Sequence, residues 1–436
     1  MWEIVFTYFI ALLYLNRYTD NVVIKFIPTF LLFFTGYRLL LKNQLVKKRQ
    51  EIAVIFKGKL LLLLCLLLLI GLIRNNNPTT TYTSLLITTL FFCGFLFFMF
   101  QVIAQISAKK NQIVYIYRFL VLPFVLFFAI NLLFWMLKID PGPNSEAGAA
   151  VSTNSSIFLK YWGIDVGRVK FPLASGINSY ATLLGGIFTI ILVYMVILRY
   201  RSRTLWISLL ITIISLLLTD SRSALIYPVI VCAVLYWSVK RNAIKHIFLW
   251  PFIIVLGPFL LTSLLPILSG YDFFSFLSRS SEDLATGNAR FFIWLISLNE
   301  FLHFNSMHIF GYGIYGHYKS GASTLWSNFF TSFEDASELV HPHNTALSVL
   351  FDYGYFGLIV LYGVLLKIAG LIKRQFKSEE NYEKSCVLAG FLMYFSLISV
   401  TESFFGFYYL NTIYYCISFF FLAFSNTFSM KSDDLK

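Results

Sequence analysis

One junction between a polar loop and an apolar helix organises this chain. It reads Val340-His341-Pro342-His343-Asn344-Thr345 and continues as Ala346-Leu347-Ser348-Val349-Leu350-Phe351-Asp352-Tyr353-Gly354-Tyr355-Phe356-Gly357. Pro342 keeps His341 off the helix, so His343 and Asn344 open its first turn. An imidazole with an ordinary pKa of about 6.5 accepts a proton at neutral pH and can activate a hydroxyl group. The junction therefore predicts a general base at His343, with a capping or solvated histidine as the alternative.

The composition indicates a membrane protein. Of the 436 residues, 58% are hydrophobic and only 13% are charged, which is too little polar surface to cover a soluble globule. The hydrocarbon core of a bilayer, about 30 Å thick, needs roughly 20 apolar residues per helical crossing. Because the backbone must satisfy its hydrogen bonds internally, apolar runs of this length predict helices rather than a barrel. We therefore expect an all-α polytopic fold, with residues 1–436 as a single integral membrane domain.

Apolar runs predict about twelve transmembrane helices. They lie at residues 2–15, 22–41, 60–73, 83–106, 113–136, 176–198, 204–218, 223–239, 246–268, 343–372, 385–401 and 406–425. If these spans alternate across the bilayer, most basic residues fall in short loops on one side, which marks that side as cytoplasmic. Both termini are then cytoplasmic. Two long loops, 137–175 and 269–342, lie on the opposite side, and the second carries the junction at its end.

The net charge of +13 does not indicate a nucleic-acid partner, because the basic residues are spread over short loops instead of forming one patch. The five cysteines all lie in apolar runs without paired spacing, which argues against a disulfide framework and a zinc site. No spacing of Asp and His suggests another metal site. We expect neither a metal nor another cofactor.

Basic residues on the side opposite the cytoplasm are a second indication of a functional site, because the charge bias of the loops disfavours them there. Arg168 and Lys170 precede a span, Arg222 lies in a tight turn, and Arg290 precedes the apolar run 291–302. That run predicts an interfacial helix with Phe and Trp side chains at headgroup depth. The arginines either snorkel to headgroups or pair with a carboxylate such as Asp220, or they bind phosphate through their planar N–H donors. Several of them on one face suggest a diphosphate.

Three further features receive structural interpretations. Gly311-Tyr312-Gly313-Ile314-Tyr315-Gly316 matches G-x-G-x-x-G, but no strand precedes it, so we interpret it as a loop turn rather than a dinucleotide site. The carboxylates Glu334, Asp335 and Glu338 are interpreted as solvated loop charges, with orientation of His343 as the second interpretation. His341 is interpreted as structural, and Glu402 as a candidate partner for an arginine.

Taken in order, these motifs resemble the bacterial O-antigen ligase and O-antigen polymerase superfamily. His343-Asn344 followed by Gly354 and Gly357 is similar to its His-Asn and Gly-x-x-Gly signature. Residues 219–224 resemble its Ser-Arg-Gly-Ala motif, with Ser223 in place of the common glycine. Arg290 with Trp294, followed by residues 310–313, resembles its Arg, Trp and Gly-x-Gly element. The motifs cover mainly residues 165–360.

The resemblance implies a metal-independent, inverting glycosyltransferase of the bacterial inner membrane that uses an undecaprenyl-diphosphate-linked glycan as donor. Carried over by position, Arg222 and Arg290 hold the donor diphosphate, and His343 is the general base for the acceptor hydroxyl. Arg168, Lys170 and Asn344 are candidate substrate-binding residues. The expected partners are lipid-linked oligosaccharides as donor and acceptor, membrane lipid, and a chain-length regulator protein as a candidate.

Three functions remain open at this stage. The stretch from Arg168 to Asn178 favours an O-antigen polymerase, which joins lipid-linked repeat units. The alternative within the superfamily is an O-antigen ligase, which transfers the glycan to lipid A-core; Pro342-His343-Asn344-Thr345 also occurs in ligases. A flippase for lipid-linked oligosaccharide has a similar number of spans, but it places cations in a central cavity rather than at one membrane face.

Overall fold

Every regular element in the described part of the chain is a helix. The computed structural model describes residues 2–13, 15, 18–19, 21–46, 58–109, 111–139, 141, 163, 167–241, 243–268, 290–327 and 339–425. No strand occurs among them. The predicted all-α fold is therefore confirmed. Glu334, Asp335, Glu338 and the middles of both long loops lie outside the described residues.

Each predicted apolar segment overlaps a helix, and the structure adds short helices between residues 307 and 327. In chain order they are α1 Trp2–Leu13, α2 Val22–Val46, α3 Lys59–Ile73, α4 Tyr82–Ser107, α5 Gln112–Met136, α6 Ile177–Ile197, α7 Arg203–Thr219, α8 Arg222–Lys240, α9 Trp250–Leu268, α10 Arg290–Leu302, α11 Met307–Phe310, α12 Gly316–Lys319, α13 Thr324–Ser327, α14 Thr345–Gln375, α15 Glu379–Thr401 and α16 Leu410–Phe424.

Eight described helices are long and apolar enough to cross a membrane, which indicates a multi-pass membrane protein. The other four apolar helices are shorter, at 10–17 residues: α1, α3, α7 and α16. A run of that length falls below the roughly 20 residues of a full perpendicular crossing. The number of twelve crossings, the cytoplasmic termini and the periplasmic position of the long loops remain predictions.

Helix α15 is the central element of the bundle. Its apolar segment is almost completely buried within the protein, and it packs against α6, α8, α9 and α14. It ends at Thr401, so Glu402 directly follows this buried helix and is itself buried. This position explains how a carboxylate in a short turn becomes buried.

Helix α14 contains a break at Gly354, where φ is 67° and ψ is −168°. Next to the break, the carbonyl groups of Phe351 and Asp352 accept hydrogen bonds from the N–H groups of Tyr312 (2.8 Å) and Gly313 (2.9 Å). The G-x-G-x-x-G segment is thus a loop, as predicted, and it is docked on α14 by backbone hydrogen bonds. This docking places the segment that follows α10 beside the helix that begins at the junction.

Helix α10 begins at Arg290, as predicted. The predicted environment of its tryptophan differs from the observed one. Trp294 is only 2% exposed and packs with Trp326 and Phe351. Its indole Nε1–H donates to the carbonyl oxygen of Pro342 (3.1 Å). The expectation that this tryptophan anchors the helix at headgroup depth is therefore wrong, because Trp294 joins α10 to the junction instead.

Candidate active site

Asn344 fixes the start of α14. Its backbone is extended, and its side-chain oxygen accepts a hydrogen bond from the N–H of Leu347 (3.0 Å), as expected for an N-cap. Its amide nitrogen donates to the carbonyl oxygen of Val400 near the end of α15 (3.0 Å). The side chain is fully buried. These contacts favour a structural role for Asn344 over the predicted contact with substrate.

His343 stands just before this cap in a left-handed backbone conformation, with φ at 50°. Only a few per cent of non-glycine residues adopt positive φ, so other contacts must hold it there. One is the hydrogen bond from its backbone N–H to Nδ1 of His341 (3.1 Å). The other joins its own Nδ1 to Oε2 of Glu402 (3.1 Å). Because an ionised carboxylate only accepts, Nδ1 carries the proton and Nε2 is left as the proton acceptor.

Glu402 bridges the two residues that the sequence singled out separately. Oε2 accepts from His343, and Oε1 accepts from a guanidinium nitrogen of Arg290. Burial of Glu402 opposes its charged form, but the electrostatic interactions with Arg290, His343 and Arg168 and the hydrogen bond from His343 outweigh burial and lower its pKa. The carboxylate is therefore ionised at neutral pH. It brings Arg290 and His343 into one site.

His341 supports His343 from the other side. Its Nδ1 accepts the N–H of His343 and lies 3.0 Å from Oγ of Ser403, while its Nε2 lies 2.8 Å from the hydroxyl oxygen of Tyr409. Burial, followed by the neighbouring charges of His343, His317 and Arg290, lowers its pKa well below 6.5. The imidazole is thus neutral. Since Nδ1 is an acceptor, the proton resides on Nε2 and is donated to Tyr409.

A second polar network adjoins His341. The hydroxyl group of Tyr408 donates to Oδ1 of Asp352 (2.9 Å), which also accepts the N–H of Gly316 (3.1 Å). His317 Nδ1 lies 3.2 Å from the same hydroxyl oxygen, and burial lowers the pKa of His317 to about 3. The ring centroids of His341 and Tyr408 are 5.3 Å apart. This network fastens α12 and α14 to the segment after Glu402.

Arg168 lies on the adjoining side of the site. Its Nε donates to the carbonyl oxygen of Thr219 (3.1 Å), and one terminal nitrogen donates to Oδ1 of Asn178 (3.3 Å). Its charge also contributes to the lowered pKa of Glu402. Lys170 follows two residues later and is half-buried. The contact of Arg168 with Thr219 thus joins this stretch to the end of α7.

Arg222 is the first residue of α8 and follows the short turn after Thr219. Asp220, two residues earlier, is the C-cap of α7 and has a left-handed conformation, with φ at 48°. Arg222 is therefore three residues from the carbonyl group of Thr219 that Arg168 contacts. Its assignment to the diphosphate remains a prediction.

Comparison with known families gives a match to part of the chain. Residues 207–362 match the family model described as O-antigen ligase. The match supports a relationship of this segment to the O-antigen ligase and polymerase superfamily. The match spans Arg222, Arg290 and His343, whereas Arg168 and Glu402 lie outside it. No curated protein and no solved structure matches the chain.

His341, His343 and Glu402 together form a group of three potential metal ligands. Ligand atoms of His341, His343 and Glu402 lie within 4.8 Å of one another. Both carboxylate oxygens of Glu402 are already used by Arg290 and His343, and Nδ1 of His341 accepts a backbone N–H. A metal ion would have to replace these hydrogen bonds. Metal-independent chemistry remains our prediction.

Several residues of the site were not expected from the sequence. His317, Tyr408 and Tyr409 had no assigned role, and His341 was interpreted only as structural. The available signal was the polar segment 402–403 with the tyrosine pair 408–409, which separates two apolar runs. A polar segment between buried helices is a place where functional groups gather.

Proposed function

We propose that the protein is an O-antigen polymerase, or a polymerase of a similar surface polysaccharide. It joins undecaprenyl-diphosphate-linked oligosaccharide repeat units at the periplasmic face of the bacterial inner membrane. The observation that carries this proposal is the bridge through Glu402, which holds a cation suited to phosphate beside an imidazole whose Nε2 has no hydrogen-bond partner among the described residues. The family match of residues 207–362 supports a polymerase- or ligase-type function.

The proposed reaction is a single displacement with inversion. The acceptor sugar hydroxyl attacks the anomeric carbon of the donor glycan as the bond from that carbon to the diphosphate oxygen breaks. The hydroxyl proton passes to Nε2 of His343, and lipid diphosphate departs with the bonding electrons. Because the donor is already activated, the reaction needs no further energy source.

Arg290 and Arg222 act on the leaving group in this proposal. Negative charge on the diphosphate grows as the glycosidic bond breaks, so a guanidinium group that binds it more tightly in the transition state accelerates the reaction. Loss of one preorganised charge contact of this kind costs about 10²- to 10³-fold in turnover. Arg168 and Lys170 steer the second glycan chain.

Glycan ligation to lipid A-core is the second candidate, because the matched family is described as O-antigen ligase. The bond chemistry is the same and only the acceptor differs. A deletion strain separates the two functions. Surface lipid that carries one repeat unit indicates a polymerase, whereas complete loss of attached O-antigen indicates a ligase. A strain with wild-type chain lengths would contradict both.

A flippase is less well supported by the contacts of the site. A transporter needs cations along its path through the bundle, but Arg290 here pairs with the carboxylate that orients His343. Incubation of the purified protein with a lipid-diphosphate-linked repeat unit tests this point. Products that grow as a ladder support the polymerase, and an unchanged donor would contradict the proposed enzyme.

A further inference from the structure

Glu402 holds one partner on each of its two carboxylate oxygens. We propose that the donor diphosphate displaces Glu402 from Arg290, and that the freed carboxylate then serves His343 alone. Glu402 is thereby a positioning residue that couples donor binding to activation of the base. This inference rests on the proposed function and deepens it.

Competition for Arg290 follows from the chemistry of its guanidinium group. Carboxylates and phosphates bind the same planar set of N–H donors, so one group displaces the other. The side chain of Arg290 is 20% exposed, whereas that of Glu402 is 7% exposed. An incoming anion therefore reaches Arg290 more readily than it reaches Glu402. Arg290 therefore exchanges Glu402 for the diphosphate, while Glu402 keeps its position.

Glu402 stays with His343 because both residues are fixed to the same helix ends. The N–H of Glu402 donates to Ile398 at the end of α15 (2.9 Å), and its carbonyl oxygen accepts from Oγ1 of Thr345 in the first turn of α14 (3.1 Å). His343 directly precedes that turn. The hydrogen bond between Nδ1 and Oε2 is thus held by the backbone on both sides. Arg290 instead reaches the site through a long side chain from the first residue of α10.

The displacement changes the interaction between Glu402 and His343. While Arg290 is paired with Glu402, the carboxylate is shared between Arg290 and His343. When Arg290 binds the diphosphate, the carboxylate keeps its hydrogen bond to the imidazole and no longer pairs with Arg290. The interaction of Glu402 with the Nδ1–H group of His343 is therefore stronger when a donor is bound. Activation of His343 is thereby coupled to the presence of the leaving group.

A purely structural ion pair predicts a different outcome from this coupling. If Glu402 only supports Arg290, removal of the carboxylate misplaces the guanidinium group and weakens donor binding. If Glu402 competes with the diphosphate, its removal strengthens donor binding while turnover falls. The two interpretations thus differ in the sign of one measurable affinity change.

Binding of undecaprenyl diphosphate to the purified full-length protein in detergent tests the inference. We expect Glu402→Gln to bind this probe about threefold to tenfold more tightly than wild type, as removal of a partly exposed competing ion pair allows. Its kcat with a lipid-linked repeat unit should fall about 10- to 100-fold, as for other residues that orient a functional group. Glu402→Met, of similar length and without charge, provides a second test if the Gln variant does not fold.

A double-mutant cycle assigns the gain in affinity to Arg290. In an Arg290→Ala background, Glu402→Gln should leave probe binding unchanged, because no guanidinium group is left to release. Equal or weaker binding by folded Glu402→Gln and Glu402→Met would overturn the inference but leave the proposed function intact. Absence of binding by the wild-type protein, or an Arg290→Ala variant that binds as wild type, would overturn both.

Discussion

His343 and Glu402 are 59 residues apart in the chain and are joined by a 3.1 Å hydrogen bond from Nδ1 to Oε2. The same carboxylate accepts from Arg290, so one buried anion holds a base and a phosphate-binding cation in a single site. The partners come from three different helix termini: the start of α10, the start of α14 and the end of α15. Such termini are fixed by helix packing, which gives the site a rigid frame.

The arginines should not tolerate replacement by lysine. Arg222→Lys and Arg290→Lys keep the charge but lose the planar donors that bind two phosphate oxygens, so we expect turnover to fall about 10²- to 10³-fold. Initial rates with a lipid-linked repeat unit measure this. Arg203→Lys is the matched control, because Arg203 also opens a helix but is exposed. Normal activity of Arg222→Lys would contradict a diphosphate contact by that residue.

Asparagine should replace His341 better than glutamine does. The side-chain oxygen of an asparagine at this position can occupy the place of Nδ1 and accept the N–H of His343, whereas a glutamine places its amide near the position of Nε2. We expect His341→Asn to keep most of the turnover and His341→Gln to lose about tenfold, with KM for the donor unchanged, because the strained backbone of His343 loses its acceptor. Steady-state kinetics of the two purified variants provide the measurement. The reverse order would show that the contact with Tyr409 matters more.

The break in α14 requires glycine at position 354. A Cβ atom there would lie 2.5 Å from the backbone nitrogen of Gly311 and from the carbonyl oxygens of His308 and Ile309, and φ is 67°. Gly354→Ala should therefore lower the free energy of unfolding by several kcal/mol, through both strain and overpacking. Gly370→Ala in the same helix meets no atom within 4 Å and should be neutral or stabilising by up to about 1 kcal/mol. Thermal unfolding in detergent compares the two; equal midpoints would contradict the backbone docking.

Acid should destabilise the protein through its buried neutral histidines. Burial lowers the pKa of His317 from 6.5 to about 3. His317 is therefore protonated below about pH 6.5 in the unfolded chain, but only below about pH 3 in the folded protein. Stability is therefore lost as the pH falls through this window, with a slope of up to about 1.4 kcal/mol per pH unit for one group. His341 acts in the same direction.

The variant His317→Asn should accordingly lose less stability than wild type between pH 7 and pH 5. Thermal midpoints in detergent at pH values across this range measure the difference. His303→Asn, at an exposed histidine in the same region, is the control and should follow wild type. A His317→Asn curve parallel to that of wild type would show that His317 does not set the acid sensitivity.

Much of the fold could be predicted because long apolar runs in a membrane protein must form helices. Each of the predicted segments coincides with a helix, and Arg290 does begin one. The short helices α1, α3, α7 and α16 show the limit, because composition marks an apolar run without fixing where its helical hydrogen bonds stop. Trp294 was misinterpreted for a similar reason. An aromatic residue on an amphipathic helix packs equally well against headgroups or against another part of the protein.

The site was only partly predictable. His343 and Arg290 were identified because a histidine and an arginine are conspicuous at the edges of apolar runs. The bridging role of Glu402 depends on how α15 places its last turn between α10 and α14, which no local pattern encodes. The contacts of Tyr408 and His317 depend in turn on the docking of residues 311–316 at the break in α14. These tertiary relationships arise from packing over long sequence separations.

The most direct test of the central claim compares wild-type protein with His343→Ala. Both are purified in the same detergent, checked for equal thermal midpoints, and incubated with a lipid-diphosphate-linked repeat unit while product length and released lipid diphosphate are measured together. We predict that wild type gives a ladder with one lipid diphosphate released per new bond, and that His343→Ala is slower by at least about 10²-fold, since it lacks the base. A wild-type ladder from the folded His343→Ala variant would contradict the account.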